Sequence, residues 1–111
     1  VYKRQLEYDA GRDSASAEAH DRYARMLATC ELEEFRDSAL ALRHAARAVE
    51  MSQRRNPDYL LTLARAQSLD GDDSQAYATV TSALELLAPD HEDRPELEAE
   101  RARFARRDGV R

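Results

Sequence analysis

The sequence predicts an all-α domain, and three observations lead to this prediction. Ala, Leu, Glu and Arg are abundant among the 111 residues, while residues that favour strands are scarce and Ile is absent. The three Gly and three Pro are spaced apart, as breaks between helices would be. Between those breaks apolar residues recur at the helical period of about 3.6 residues. A chain of this length is expected to form one domain with one modest core.

The N-terminal segment and a first pair of helices are predicted before residue 56. Residues 1–14 should form a short helix that ends at Gly11, with Tyr2, Leu6 and Tyr8 covering the neighbouring helices. Two longer helices should follow at about residues 16–33 and 38–52. A turn between them would make them antiparallel, so that they form a helical hairpin.

The clearest helix start is Asn56-Pro57-Asp58. Asn56 can accept hydrogen bonds from free backbone N–H groups, Pro57 suits the first helical position, and Asp58 favours the positive end of the helix dipole. This helix should run to about Asp70. Gly71 then supplies the left-handed residue that commonly ends a helix.

A further helix should follow this turn. Asp72 and Gln75 resemble a capping box, and the helix that they begin should run to Ala88 from about Ser74. Its apolar side chains share one stripe, formed by Ala76, Val80, Ala83, Leu84 and Leu87. Residues 56–90 therefore predict a second antiparallel hairpin.

The last segment, residues 91–111, predicts one more helix and a tail. Asp93 and Glu96 form another capping-box pair at the start of this helix. One helical face, which includes Leu97 and Phe104, would pack on the hairpins, and the opposite face would be exposed.

The two predicted hairpins share one residue layout. Leu27-Ala28 matches Leu63-Ala64 at an offset of 36 residues, and the helices that follow match at an offset of 35. The pairs at the second offset are Ala41 with Ala76, Ala45 with Val80, Ala48 with Ala83, and Val49 with Leu84. A period of about 34 residues is typical of stacked helical repeats.

The segment from Leu60 to Pro89 resembles most of a tetratricopeptide repeat (TPR). If Pro57 is the first repeat position, the signature positions hold Leu60, Leu63, Ala64, Gln67, Ala76, Val80 and Ala83, and the turn holds Gly71. Gln67 replaces the usual aromatic residue, and Pro89 arrives one residue late.

The earlier copy departs further from the TPR pattern. Arg36-Asp37 stands in place of the turn glycine, and Ala45 replaces a larger residue. Its sequence resembles TPR tracts within larger bacterial proteins. The resemblance implies one repeat in residues 15–55, another in residues 56–90, and a remnant of a preceding repeat in residues 1–14. The implied fold is a short right-handed superhelix of stacked hairpins with capping helices.

The TPR resemblance also implies a function. In TPR arrays the first helices of successive repeats line a concave groove that binds an extended peptide or a partner helix. The matching positions are Arg22, Arg25, Met26, Thr29, Leu32 and Glu33 in the first repeat, and Asp58, Leu61, Thr62, Arg65, Ser68 and Leu69 in the second. The resemblance therefore implies a non-catalytic protein-binding module that acts as a scaffold or adaptor.

The arginines among these positions indicate the partner. Arg22, Arg25 and Arg65 would favour an acidic peptide or a C-terminal carboxylate, with an apolar contact from Leu61 and Leu69. The chaperone-binding TPR subtype carries asparagines on this face, whereas Thr29 and Thr62 occupy the matching positions here. We therefore do not expect chaperone tails as ligands.

Other function classes find little support in the sequence. No two of His20, His44 and His91 have the i, i+4 spacing of metal ligands on one helix, and no phosphate-binding loop or nucleophile motif is present. We expect no enzymatic activity, cofactor or metal. The net charge of −5 argues against nucleic acid, and the absence of a long apolar run argues against a membrane span.

The surroundings of the chain are also predicted. Cys30 is the single cysteine and has no partner for an internal disulfide, so we expect it to be a small core residue. A lone thiol is typical of a reducing compartment, so we expect the protein to be cytoplasmic. Val1 at the start suggests a segment of a larger protein. The alternative function is a structural spacer or a self-association element, through residues such as Leu6 or Phe104. The expected state is a monomer or a weak homodimer.

Overall fold

The computed structural model describes residues 16–29 and 37–108, and this part of the chain is all-helical. It contains five α-helices: α1 (Ala17–Thr29), α2 (Ser38–Met51), α3 (Pro57–Leu69), α4 (Asp73–Glu85) and α5 (Arg94–Asp108). Each helix packs against the next one along the chain, and α1 also packs against α3. We call the α1–α2 pair the first hairpin and the α3–α4 pair the second hairpin.

Three segments lie outside the described residues: 1–15, 30–36 and 109–111. The expectations for the N-terminal helix, including Tyr2, Leu6 and Tyr8, fall in the first segment. Those for Cys30, Leu32 and Glu33 fall in the second. The helix expected at about residues 16–33 is therefore described only to Thr29.

The start of α3 confirms the prediction at Asn56-Pro57-Asp58. The Asn56 side chain accepts hydrogen bonds from the backbone N–H groups of Asp58 and Tyr59, at 2.9 and 3.3 Å. Pro57 occupies the first helical turn, where its missing N–H group leaves no bond unmade. The carboxylate of Asp58 lies in the same turn and suits the positive end of the helix dipole.

The turn between α3 and α4 also follows the prediction. Gly71 has a φ of +93°, and its N–H donates to Ser68 O at 3.0 Å. The N–H of Asp72 donates to Gln67 O at 2.9 Å, which completes a Schellman motif. The Asp72 side chain then accepts from the backbone N–H of Gln75 and caps α4.

The end of α2 has the same motif without a glycine. The N–H of Gln53 donates to Glu50 O at 3.0 Å, and that of Arg54 donates to Val49 O at 2.9 Å. Both residues have a φ of +58°, the left-handed region that L-residues adopt at a cost of about 1–2 kcal/mol. This turn could not be predicted from the sequence, because neither residue is Gly or Asn.

The prediction that α4 runs to Ala88 is wrong, because the helix ends at Glu85. The N–H of Leu87 donates to Leu84 O, so the last turn tightens instead of continuing. The guanidinium of Arg94 also donates to the carbonyl oxygens of Leu84 and Leu87, at 3.0 and 3.2 Å. A side chain at the start of α5 thus satisfies carbonyl groups at the end of α4.

The core is continuous across both hairpins and α5. Its buried side chains are Tyr23, Ala24 and Leu27 from α1, Ala41, Ala45 and Val49 from α2, Leu60, Leu61, Leu63, Ala64 and Ala66 from α3, Ala76, Val80, Ala83 and Leu84 from α4, and Leu97 and Phe104 from α5. The many alanines let the helix backbones approach closely. The expectation that Leu97 and Phe104 pack on the hairpins is confirmed.

The five helices are also short relative to a lipid bilayer. In residues 16–29 and 37–108, none of them is both long and apolar enough to cross a membrane.

Candidate functional site

A cleft of about 230 Å³ opens where α1, α3 and α5 meet. We call it the central cleft. Among the described residues, its lining side chains are Arg25 from α1, Asp58, Leu61, Thr62 and Arg65 from α3, and Glu96 from α5. The packing of α1 against α3 brings the first helices of the two hairpins side by side, and α5 forms the third wall.

Among the twelve groove positions, eight are expected to bind the partner itself: Arg22, Arg25, Thr29, Asp58, Leu61, Thr62, Arg65 and Leu69. Five of these eight residues line the central cleft. Of the remaining three, Arg22 and Leu69 lie outside it, and the side chain of Thr29 is outside the described part of the chain. Leu61 and Leu69 were expected to form one apolar contact with the partner. Leu61 lies in the central cleft, whereas Leu69 is exposed near the end of α3, so they do not form one surface.

Arg25 is held by a buried carboxylate on its own helix. Its Nε and Nη2 atoms donate to Oδ2 of Asp21 at 2.9 and 2.6 Å. Asp21 is only 1% exposed, whereas the Arg25 side chain remains 57% exposed. The pair therefore holds the guanidinium of Arg25 against α1, while more than half of the side chain stays exposed to solvent at the edge of the cleft.

Arg65 is held by carboxylates from α5. Its Nε donates to Glu100 Oε1 at 2.8 Å, and its Nη2 lies 3.8 Å from Glu96 Oε1. Glu100 also accepts a hydrogen bond from Arg103 at 2.7 Å. Burial raises the pKa of Glu100, but the hydrogen bonds from Arg103 and Arg65 outweigh it and hold the pKa below its usual value.

These ion pairs balance the charge of the central cleft. Two arginines face Asp58 and Glu96 across it. The positive character expected from the arginines is thus offset within the molecule. Burial raises the pKa of Tyr59, and the negative charges of Asp21 and Glu18 raise it further, which indicates an acidic environment beside α1.

The wall contributed by α3 is closely packed. Leu61 and Thr62 are 5% and 4% exposed, and the Thr62 hydroxyl donates to the carbonyl oxygen of Asp58 on its own helix. Their contact with a ligand would be limited to a small apolar patch at the bottom of the cleft. The accessible polar groups are the ends of Arg25, Arg65, Asp58 and Glu96.

Sequence reasoning missed the acidic side chains that organise this site. The sequence indicates only a capping role for Glu96 and no role for Asp21 or Glu100. Their one signal in the sequence is the i, i+4 spacing of Asp21 with Arg25 and of Glu96 with Glu100. That spacing places each pair on one helical face, but it does not say which neighbouring helix the face meets.

The described residues offer little for metal chemistry. Across residues 16–29 and 37–108, no three His, Cys, Asp or Glu side chains are grouped closely enough to hold a metal ion.

Comparison of the chain with models of known protein families, with curated proteins and with solved structures gives no match. The TPR resemblance therefore depends on the signature positions of the sequence described above.

Proposed function

We propose that this chain is a TPR-like, non-catalytic protein-binding module that holds a peptide or partner helix in the central cleft. The observation that carries the proposal is the meeting of α1 and α3, the first helices of the two hairpins, with α5 around one polar opening. A TPR superhelix places its groove between these same helices. The duplicated residue layout and the Gly71 turn support the same assignment.

The internal ion pairs specify what the partner must provide. An arginine already bonded to a carboxylate attracts a second carboxylate less strongly than a free one. A purely acidic peptide would also meet Asp58 and Glu96. We therefore expect the preferred peptide to place a carboxylate near Arg25 or Arg65 and a basic or amide group near Asp58.

Random dodecapeptides displayed on phage, selected on the full chain, provide ligands for a quantitative test. The best selected peptide is synthesised, and its dissociation constant is measured by fluorescence anisotropy. A short groove predicts an affinity of roughly micromolar strength. In Arg65→Gln and Asp58→Asn variants we expect affinity to fall about fivefold to tenfold, because each loses one charged contact.

Arg22→Gln is the matched control. Arg22 pairs with Glu18 through the same i, i+4 spacing as Arg25 with Asp21, but it lies outside the central cleft. This variant should bind the selected peptide as the wild type does. Equal loss in all three variants, or none in any, would contradict a site in the central cleft, provided that circular dichroism shows each variant folded.

Self-association is the alternative function. Phe104, one of the residues expected to mediate it, is 0% exposed and packs inside its own chain. Leu6, the other, lies outside the described residues. Sedimentation velocity of the full chain over a concentration series separates the two functions, because a peptide-binding module stays monomeric while a self-association element forms dimers.

A further inference from the structure

A second cleft, of about 430 Å³, lies on the first hairpin and shares no lining residue with the central cleft. His20 from α1 and His44, Arg43, Ala46, Arg47 and Glu50 from α2 line it. We call it the basic cleft. Of the six lining side chains in the described part of the chain, four are basic, and the two arginines outnumber the single carboxylate, in a protein whose net charge is −5.

The two arginines of the basic cleft are only weakly compensated. Arg47 lies 3.6 Å from Glu50, a distance at which the pair is a loose surface ion pair. Among the described residues, Arg43 has no carboxylate within salt-bridge distance. The arrangement differs from that of Arg25 and Arg65, each of which has a carboxylate within 3 Å.

The two histidines form a pair across the helix interface. Nδ1 of His20 and Nδ1 of His44 are 2.9 Å apart, and the ring centroids are 5.1 Å apart. One nitrogen must donate and the other accept, so the bond requires at least one neutral imidazole. The edge contact of Tyr23 with His44, at 4.8 Å between ring centroids, holds one ring in place.

We propose that the basic cleft is a binding site for a dianionic oxyanion of sulfate or phosphate size, with Arg43 and Arg47 as its fixed charges and the His20–His44 pair as its proton-dependent donors. Guanidinium groups bind such anions through charge-assisted hydrogen bonds. An imidazole adds a further charged donor when it is protonated.

Binding to this cleft should be linked to proton uptake. The charged and titratable groups that face the histidine pair, among the described residues, are Tyr23 from α1 and Arg43, Arg47 and Glu50 from α2. Burial and then the charge of Arg47 lower the pKa of His20 below 6.5 in the free protein. A dianion bound beside His20 would offset the positive charge of Arg47 and so raise the pKa of His20.

Sulfate is the probe that tests the proposal, because its charge stays constant between pH 5.5 and 7.5. Sodium sulfate is titrated into the ¹⁵N-labelled full chain at constant ionic strength, with sodium chloride as the compensating salt. We expect saturable amide shifts confined to α1 and α2 near the six lining residues. The affinity should rise at least about threefold as the pH falls from 7.5 to 5.5.

Four variants assign the roles of individual residues. Arg47→Gln should weaken sulfate about fivefold to tenfold at both pH values, since a fixed charge is lost. His20→Gln or His44→Gln should bind at pH 7.5 but lose most of the gain at pH 5.5. Arg106→Gln, on the exposed face of α5, controls for non-specific attraction and should bind as the wild type does.

The proposal is overturned if the shifts do not saturate, if they map outside the first hairpin, or if Arg47→Gln and Arg106→Gln weaken binding equally. It is also overturned if sulfate leaves the pKa of His20, measured from its imidazole protons, unchanged. The anion could be a free inorganic ion or the phosphate group of a phosphorylated residue, and titrations with inorganic phosphate and with phosphoserine at pH 7.5 distinguish these two sources. If only inorganic phosphate binds, the ligand is a free ion. If both bind, the site also accepts phosphorylated residues.

Discussion

Polar side chains between helices differ in kind between the two hairpins. In the first hairpin they are the imidazoles of His20 and His44, and His20 gains a charge only at a pH below its ordinary pKa of 6.5. In the second, the Thr79 hydroxyl donates to the side-chain oxygen of Gln67 at 2.7 Å, and the Ser68 hydroxyl donates to Asp73. The first hairpin can therefore respond to protons, whereas the second is fixed by hydrogen bonds that persist over the physiological range.

The same bond accounts for a polar residue inside the second hairpin. Gln67 is only 8% exposed and has a partner on α4. A buried amide with a hydrogen-bond partner avoids the cost of an unpaired polar group. The two hairpins thus share a layout of small apolar residues while using different polar contacts between helices.

The strongest test of the comparison asks whether the hairpins share one core. Leu27 of the first hairpin and Leu60 of the second are both buried. We expect Leu27→Ala and Leu60→Ala each to lower the free energy of unfolding by about 2–5 kcal/mol. Urea denaturation followed by circular dichroism should show one transition in both variants. If a variant instead lost about half of its helical signal at low urea and the rest at higher urea, the two hairpins would be independent folding units.

The Gln67–Thr79 bond gives the next largest effect. Thr79→Val keeps the shape of the side chain but leaves the buried Gln67 oxygen without its donor, so we expect a loss of about 1–3 kcal/mol. Adding Gln67→Leu should recover much of that loss, because both polar groups are then removed. A double-mutant cycle in urea measures the coupling, and additive losses would show that the bond contributes no stability.

The two Schellman motifs predict opposite effects of glycine. Gly71→Ala should cost about 1–2 kcal/mol because of its φ of +93°, although the space around it is open. Gln53→Gly should stabilise the protein by about 0.5–1 kcal/mol, since the left-handed turn loses its strain. Thermal melts of both variants check this, and a melting temperature left unchanged by both substitutions would exclude backbone strain as a difference between the turns.

The smallest effect is the pH dependence of the first hairpin. Because burial and Arg47 lower the pKa of His20, the unfolded chain takes up a proton before the folded one does as the pH falls below 6.5. The stability present above that pH should therefore decrease towards pH 5.5. His20→Gln should flatten the profile, whereas His91→Gln, in the exposed loop before α5, should not. Melting temperatures at matched ionic strength test this, and identical profiles for both variants would exclude the pair as the cause.

The parts of the fold that the sequence predicted are those that depend on neighbouring residues. Asn56, Gly71 and Asp72 have caps and turns in the expected places because each forms its bonds within a few positions of the chain. The burial of Leu97 and Phe104 followed from their spacing along one helical face. These features need no information about the rest of the molecule.

The parts that could not be predicted depend on how helices rotate against each other. His20 and His44 are 24 residues apart, and Arg65 and Glu100 are 35 apart, so no local spacing links them. The carbonyl groups of Leu84 and Leu87 at the end of α4 likewise bond to Arg94, which reaches back from the next helix. A single sequence contains the residues of such contacts but not the register that brings them together.

Arg94 also sets a practical limit on how this domain can be divided. Because its guanidinium closes the end of α4 while Leu97 and Phe104 fill the core beside it, a shortened version that stops near residue 90 would expose both carbonyl groups and apolar surface. Any graft of the cleft onto another scaffold therefore has to carry the last helix with it, at least through Phe104.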